Sequence, residues 1–208
     1  VRMPQSDNRA RVERICNFMS ARLGAAWVRG GDLLDIGGGL GVFPHVFREQ
    51  APASWRVTVV ETDPLACDHL YGLNGIELVR GTFPHDELKK TYTLITLNKV
   101  LEHVSDPVPL LYQCARHLET TEGVLYVEVP SSRNFKQASD TDNSLGSMHL
   151  HLHSPKSLNA LANEAGLETL AFARYPVGRF KAAWDPEAEP DQWAALAAKL
   201  EALDPRVV

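Results

Sequence analysis

Leu33-Leu34-Asp35-Ile36-Gly37-Gly38-Gly39-Leu40-Gly41 is the stretch that decides the fold, a short apolar run that ends in glycines. Beyond it Val42, Phe43, Val46 and Phe47 recur at helical spacing, so the order reads strand, tight turn, helix. Glycines at 37, 39 and 41 let the backbone turn sharply and approach a ligand with no Cβ in the way.

The same alternation continues down the chain. Residues 57–60 form an apolar strand closed by Glu61, and Asp63-Pro64 then supply a cap and a first-turn proline for a helix carrying Leu65 and Leu70. Further strands are expected at 76–79, 92–97 and 124–129, with a helix after Asp106-Pro107 whose Leu111, Cys114, Ala115 and Leu118 share a face. Ser154-Pro155 opens another helix, and Gly166 fits the position just past its end. Residues 167–175 should return as a strand, and 178–184 should pair with it as an antiparallel hairpin. A last helix is expected around Trp193, Leu196, Ala197 and Leu200.

This spacing predicts an α/β fold, a doubly wound, mostly parallel, Rossmann-like sheet of seven strands with helices on both faces and an antiparallel final strand. One domain is expected over 1–208, with a helical lead (1–30), a cofactor-binding core (31–184) and a C-terminal helix and tail (185–208). In the lead, Val12, Ile15, Cys16, Met19 and Leu23 make one apolar stripe, with Arg11, Glu13, Arg14 and Arg22 on the other faces. Ligands of such sheets bind at the carboxyl ends of the strands. Residues 131–148, polar and without periodicity, read as a long loop at that edge.

Composition narrows the partners. A net charge of −5 disfavours a broad phosphate-binding surface, so a small-molecule acceptor is expected and nucleic acid is not. Cys16, Cys67 and Cys114 are odd in number and form no C-x-x-C pair, which suits neither a disulfide framework nor a thiolate metal site. A reducing, cytoplasmic location is the expectation, with no membrane segment or signal sequence, although a start at Val1 suggests that residues precede it. Oligomeric state is open.

Two carboxylates sort the cofactor classes. A dinucleotide site needs G-x-G-x-x-G, but the third residue after Gly39 is Val42, and no phosphate loop with Lys followed by Ser or Thr is present. Asp35, just before the turn, repels a pyrophosphate yet attracts a cationic ligand. Glu61, at the end of the adjacent strand, can accept hydrogen bonds from both hydroxyls of a ribose. Together they describe a nucleoside with a positive tail.

Residues 33–43, 57–64 and 92–104 resemble the successive signature motifs of class I S-adenosylmethionine-dependent methyltransferases, a likeness spanning roughly residues 8–175. The run Asn98-Lys99-Val100-Leu101-Glu102-His103-Val104 is similar to bacterial small-molecule and sugar methyltransferases and to ubiquinone-biosynthesis O-methyltransferases. The resemblance implies S-adenosylmethionine as cofactor, with Gly37, Gly38 and Gly39 against its methionine part and Glu61 on its ribose. It also implies Thr62, Thr82 and Phe83 around the adenine, and Asn98 near the sulfonium. Many relatives carry Asp where Thr82 stands, so the contact to the adenine edge departs from the family pattern.

Methyl transfer to a hydroxyl requires alignment and removal of a proton. His103, after the fourth strand, is the leading base candidate, and Glu102 beside it can orient the ring. His149, His151 and His153 alternate with Leu150 and Leu152, so in extended backbone the imidazoles share one face. His149 and His151 are expected to line the acceptor pocket. With Glu102 and His103 these groups could also hold a divalent ion. In small-RNA 2′-O-methyltransferases a Glu-x-x-Glu-His and a later His gather a metal, but Lys99 stands here at the first Glu, and no metal is expected. The reaction expected is methylation of a hydroxyl on a small polar acceptor, sugar-like in view of the Ser, Asn and Asp at 131–148. The alternatives are a catalytically inactive binding or regulatory subunit and a nicotinamide oxidoreductase, the latter disfavoured by the missing glycine.

Overall fold

Short, nearly continuous apolar runs place the central strands in the middle of three layers. The computed structural model describes residues 8–130 and 149–173. Its elements are α1 (Asn8–Leu23), α2 (Ala25–Arg29), β1 (Asp32–Ile36), α3 (Val42–Gln50), β2 (Arg56–Glu61) and α4 (Pro64–Tyr71). There follow β3 (Ile76–Arg80), β4 (Leu94–Asn98), a 3-10 turn (Leu101–His103), α5 (Pro107–His117), β5 (Val124–Glu128) and α6 (Pro155–Glu164).

The strands pair in the order β3-β2-β1-β4-β5, every pair parallel. The chain winds outward from β1 to β3, then crosses to the other side of β1 for β4. The winding therefore reverses between β1 and β4, which opens a crevice beyond their carboxyl ends. All five residues of β1 are buried, as a strand flanked on both edges and covered on both faces must be.

Alternate residues feed two cores. Leu33, Val57 and Val59 face Val12, Met19, Trp27, Phe47 and Trp55, whereas Leu34, Ile36 and Val60 face Leu101, Leu111 and Cys114. By the same alternation Asp35 belongs to the first face, under α1. The Trp27 and Trp55 rings lie 4.8 Å apart, and Phe47 meets Trp55 edge-on at 5.6 Å.

The helix starts follow their chemistry. Asp63 accepts from the backbone amides of Leu65 and Ala66, and Ser154 closes a capping box with Ser157. Asp106 occupies the cap position of α5 but its side chain takes no capping hydrogen bond. Gly166 follows α6 at φ +77°, a left-handed conformation that suits glycine.

Several expectations need correction. Residues 167–173, expected as a strand, join none of the five parallel strands of the described sheet, and the expected antiparallel final strand at 178–184 falls outside the described residues. Leu167 and Leu170 instead pack as isolated apolar anchors on the two cores. The rest of the expected hairpin, the Trp193 helix and the 131–148 loop lie outside the described residues. Arg11 is not on a solvated face but buried, and Leu65 is exposed because it points off the first turn of α4. Among the described residues no helix is long and apolar enough to cross a membrane.

Candidate functional site

The carboxyl ends of β1, β2 and β4 converge on the glycine turn. Gly37 adopts φ +74° and donates its amide to the Val60 carbonyl at 2.8 Å, extending the β1–β2 pairing by one bond. A Cβ on Gly37 would come within 2.7 Å of Val100 Cγ2, and one on Gly38 within 2.4 Å of Val59 Cγ1. Gly41, at φ +76°, starts α3 and abuts Leu70 and Leu73 of the α4 region. Gly39 differs: at φ +52° its Cβ direction meets nothing within 4 Å, so its face is open.

Glu61 is buried and its carboxylate is already oriented. Oε2 accepts from the Gly39 amide at 2.7 Å, and Oε1 accepts from the amides of Thr62 at 2.7 Å and Asp63 at 2.9 Å. Oε1 also accepts from the Thr62 hydroxyl at 3.5 Å, so of the about two lone-pair positions on each oxygen roughly one remains, on Oε2. Thr62 is exposed just outside it. The Gly81 amide donates to the Glu61 carbonyl at 2.9 Å, which draws the turn carrying exposed Thr82 and half-buried Phe83 to the end of β2. The Phe83 ring packs edge-on against His117 at 5.1 Å.

Asp35 is set one layer deeper than its place in the sequence suggests. Its Oδ1 accepts from the Thr96 hydroxyl at 2.7 Å and the Asn98 amide at 3.1 Å. Complete burial drives its pKa up to about 7 against those two hydrogen bonds and the charge of Arg11. Asn98 Oδ1 is buried without a hydrogen-bond partner, an acceptor facing this junction that still needs a donor.

Beyond Asn98 the chain turns through Lys99, the one non-glycine residue at positive φ (+60°) among the described residues. Then comes the 3-10 turn with Glu102 and His103. Glu102 is 1% exposed, and neither carboxylate oxygen has a hydrogen-bond partner. Its carbonyl accepts from the amides of Leu150 (2.8 Å) and His151 (3.2 Å), so the histidine-rich segment does fold back onto this turn. The His103 and His149 rings lie 4.8 Å apart, and their nitrogens and a Glu102 oxygen all fall within 4.8 Å of one another. His151 Nε2 is 3.2 Å from the Ser105 carbonyl. His153 is buried against His151, with its pKa lowered by burial and by that neighbour, against a hydrogen bond to the Leu101 backbone. Leu150 is exposed, as the alternation requires.

Two groups therefore form along one edge: Asp35, Gly37, Gly38, Gly39, Glu61 and Asn98, then Glu102, His103 and His149, while the His151 ring turns to the Ser105 carbonyl. A third group was not foreseen from the sequence. Glu128, ending β5, accepts from Arg11 Nε at 2.7 Å, again from Arg11 Nη2, and from the Tyr126 hydroxyl at 2.8 Å. Lys99 Nζ stands 3.4 Å from it. Burial opposes the charge of Glu128, yet Arg11 and Lys99 outweigh it and hold its pKa at about 2. The available signal was that Arg11 precedes Ile15 by four residues and so shares its helical face.

An all-parallel sheet in this order, with a glycine turn after β1 and a carboxylate closing β2, is an arrangement that class I S-adenosylmethionine-dependent methyltransferases share with other doubly wound nucleoside-binding folds. The chain belongs to the methyltransferase-domain family, whose pattern matches residues 6–171. No curated protein sequence matches it significantly. Among solved structures, the plantazolicin methyltransferase BpumL, in complex with a monoazolic desmethyl analogue and SAH, is similar over 76% of this chain and 63% of its own. The identity is 17% and the TM-score 0.61. CalS10 from Micromonospora echinaspora, an amino pentose methyltransferase bound to SAM, matches over 61% of this chain and 52% of its own, at 20% identity and a TM-score of 0.51. A putative sarcosine dimethylglycine methyltransferase from Galdieria sulphuraria matches over 74% and 61%, at 19% identity and a TM-score of 0.54. The chain thus spans less than two thirds of each of these proteins.

Proposed function

We propose that this chain binds S-adenosylmethionine at the glycine turn and transfers its methyl group to a hydroxyl of a small, polar, sugar-like acceptor. One observation carries the reading: the open face of Gly39 beside the oriented Glu61 lies on the same sheet edge as the Glu102–His103–His149 cluster. A donor pocket and a proton-accepting cluster are the two things the reaction needs.

The residues fit the cofactor. Gly37, Gly38 and Gly39 form the wall against its methionine part, and Glu61 takes the ribose with its remaining lone pair. Asn98 Oδ1 offers a buried acceptor to its ammonium group, with the Asp35 charge behind. Thr62, Thr82 and Phe83 border the adenine. When bound, the cofactor supplies a methyl group on a sulfonium. The acceptor proton leaves through the group formed by His103, Glu102, His149 and His151.

The kinship with CalS10, an amino pentose methyltransferase, supports a sugar-like acceptor only as an analogy of fold. Two buried free cysteines, Cys67 and Cys114, suit a reducing compartment and hence a cytoplasmic location. A single domain spans the chain. Its partner is a small molecule, not nucleic acid or a membrane.

The test combines calorimetric titration with S-adenosylmethionine and a screen of hydroxylated metabolites using methyl-labelled cofactor. Saturable binding with label transferred to a hydroxyl is expected. Binding with no transfer across the panel would make the chain a non-catalytic subunit, and absence of binding would remove the methyltransferase reading.

A further inference from the structure

We propose that Lys99 recognises an anionic group, a carboxylate or a phosphate, carried by the hydroxylated acceptor. The inference rests on the functional reading above and deepens it, because it assigns a charge to the molecule that arrives beyond Asn98.

The first observation is how the charges at the end of β5 are matched. Glu128 accepts from Arg11 Nε at 2.7 Å, from Arg11 Nη2, and from the Tyr126 hydroxyl at 2.8 Å. These bonds occupy three of about four lone-pair positions, and one guanidinium already balances one carboxylate. Arg14 Nη2 approaches the same group at 4.0 Å. Lys99 Nζ therefore competes for an anion that is neutralised without it, and at 3.4 Å it stands beyond the usual N–H···O distance of about 2.7–3.2 Å.

The second observation is where that ammonium lies. Asn98 and Glu128 are register partners on β4 and β5, so their side chains share one face of the sheet. Lys99 reaches to that face from the residue after Asn98. The strand order is β3-β2-β1-β4-β5, so a cofactor with its ribose on Glu61 and its methionine part on the glycine turn brings its sulfonium toward β4. Lys99 and Glu128 lie two to three strand spacings from Glu61, about 10–14 Å, on the acceptor side of the transferred methyl group. The turn carrying His103 starts two residues after Lys99, which puts the ammonium and the proton-accepting cluster on one connection.

The third observation is that the side chain is presented to a ligand. It is 39% exposed, while the Arg11 side chain is 9% exposed. Its backbone is held at φ +60° by the Lys99 amide, which donates to the Glu128 carbonyl at 2.9 Å. Glycine would adopt that left-handed conformation more easily, so the position carries a lysine in spite of the backbone it needs. An ammonium with three rotatable donors suits a carboxylate and a phosphate alike.

The experiment uses the full chain saturated with S-adenosylhomocysteine and a panel of hexose phosphates, hexuronates, neutral hexoses and hexosamines. Binding is read by calorimetry, and turnover of the same panel is read with methyl-labelled cofactor. Anionic probes should bind about tenfold or more tighter than neutral ones, and Lys99→Gln should abolish that preference while Lys99→Arg keeps most of it. The phosphate and carboxylate arms show which anion is preferred. Circular dichroism confirms that each variant is folded. Equal binding of neutral and anionic probes, no binding by any probe, or an unchanged preference in Lys99→Gln overturns the proposal. Loss of S-adenosylmethionine affinity in Lys99→Gln also overturns it, since the ammonium would then serve the cofactor's own carboxylate. Normal cofactor binding without anion preference defeats the Lys99 assignment alone. Absent cofactor binding defeats the methyltransferase reading, and an anion preference that Lys99→Gln abolishes in the ligand-free chain would leave the Lys99 site standing.

Discussion

The Gly39 amide donates to Oε2 of Glu61 at 2.7 Å, which ties the turn after β1 to the last residue of β2. This one bond sets the distance between the glycine wall and the carboxylate. It also holds the acceptor side of that carboxylate toward the open face of Gly39 before any ligand arrives, which reduces the ordering cost of binding.

Glu61→Ala should therefore weaken S-adenosylmethionine binding by about 1.5–3 kcal/mol, the range for hydrogen bonds to a charged group. Glu61→Gln keeps one oxygen for the Thr62 and Asp63 amides and should lose less. Calorimetry well below the unfolding midpoint of each variant separates this from instability. Unchanged affinity in the Ala variant removes Glu61 from the binding site.

Neighbouring glycines should respond differently to the same change. Gly38→Ala drives a methyl group within 2.4 Å of Val59 Cγ1, in a fully buried core, and should cost about 1–3 kcal/mol of stability. Gly39→Ala meets no atom and bears only the left-handed strain of φ +52°, about 1–2 kcal/mol. Its larger effect should fall on cofactor affinity, since the added methyl enters the open face. Urea unfolding and calorimetry on both variants decide the matter, and equal affinity losses would place the ligand elsewhere.

The glycine turn, Glu61 and the alternation of strands and helices were legible because each depends on local chemistry: φ > 0, apolar period, and caps at Asp63 and Ser154. What escaped depends on long-range pairing. Nothing local tells that Asp35 is sealed beneath Thr96 and Asn98, which are 61 and 63 residues away. Arg11 looked like a solvated helix charge because its partner, Glu128, lies 117 residues on. The docking of 149–151 on Glu102 was conditional on the loop folding back, which only tertiary hydrogen bonds decide.

Arg11 and Glu128 should behave as a coupled pair. Removing the guanidinium by Arg11→Met leaves a largely buried carboxylate with Tyr126, Lys99 and the more distant Arg14, and should cost about 3 kcal/mol, the lower end for a broken buried ion pair. The double variant Arg11→Met/Glu128→Leu should lose less than the sum of the two single changes. Strict additivity in urea denaturation would mean that the two side chains do not interact.

Asp35 makes the stability of the fold depend on pH in a definite direction. Its pKa is raised from 3.8 to about 7 because burial outweighs the hydrogen bonds of Thr96 and Asn98. Between those values the unfolded chain has released a proton that the folded chain keeps, so this group's contribution to stability falls as pH rises from about 4 to about 7 and is level above. The gap corresponds to a penalty on the order of 4 kcal/mol at pH 8. Asp35→Asn keeps an acceptor for both partners and removes the titration, so its stability relative to the native chain should improve steadily across that interval. A bound cation nearby favours ionised Asp35, so native cofactor affinity should rise between pH 6 and 8 and that of the Asn variant should stay flat. Parallel stability curves for the two proteins would show that Asp35 is ionised throughout, and a flat native affinity would separate it from the cationic part of the ligand.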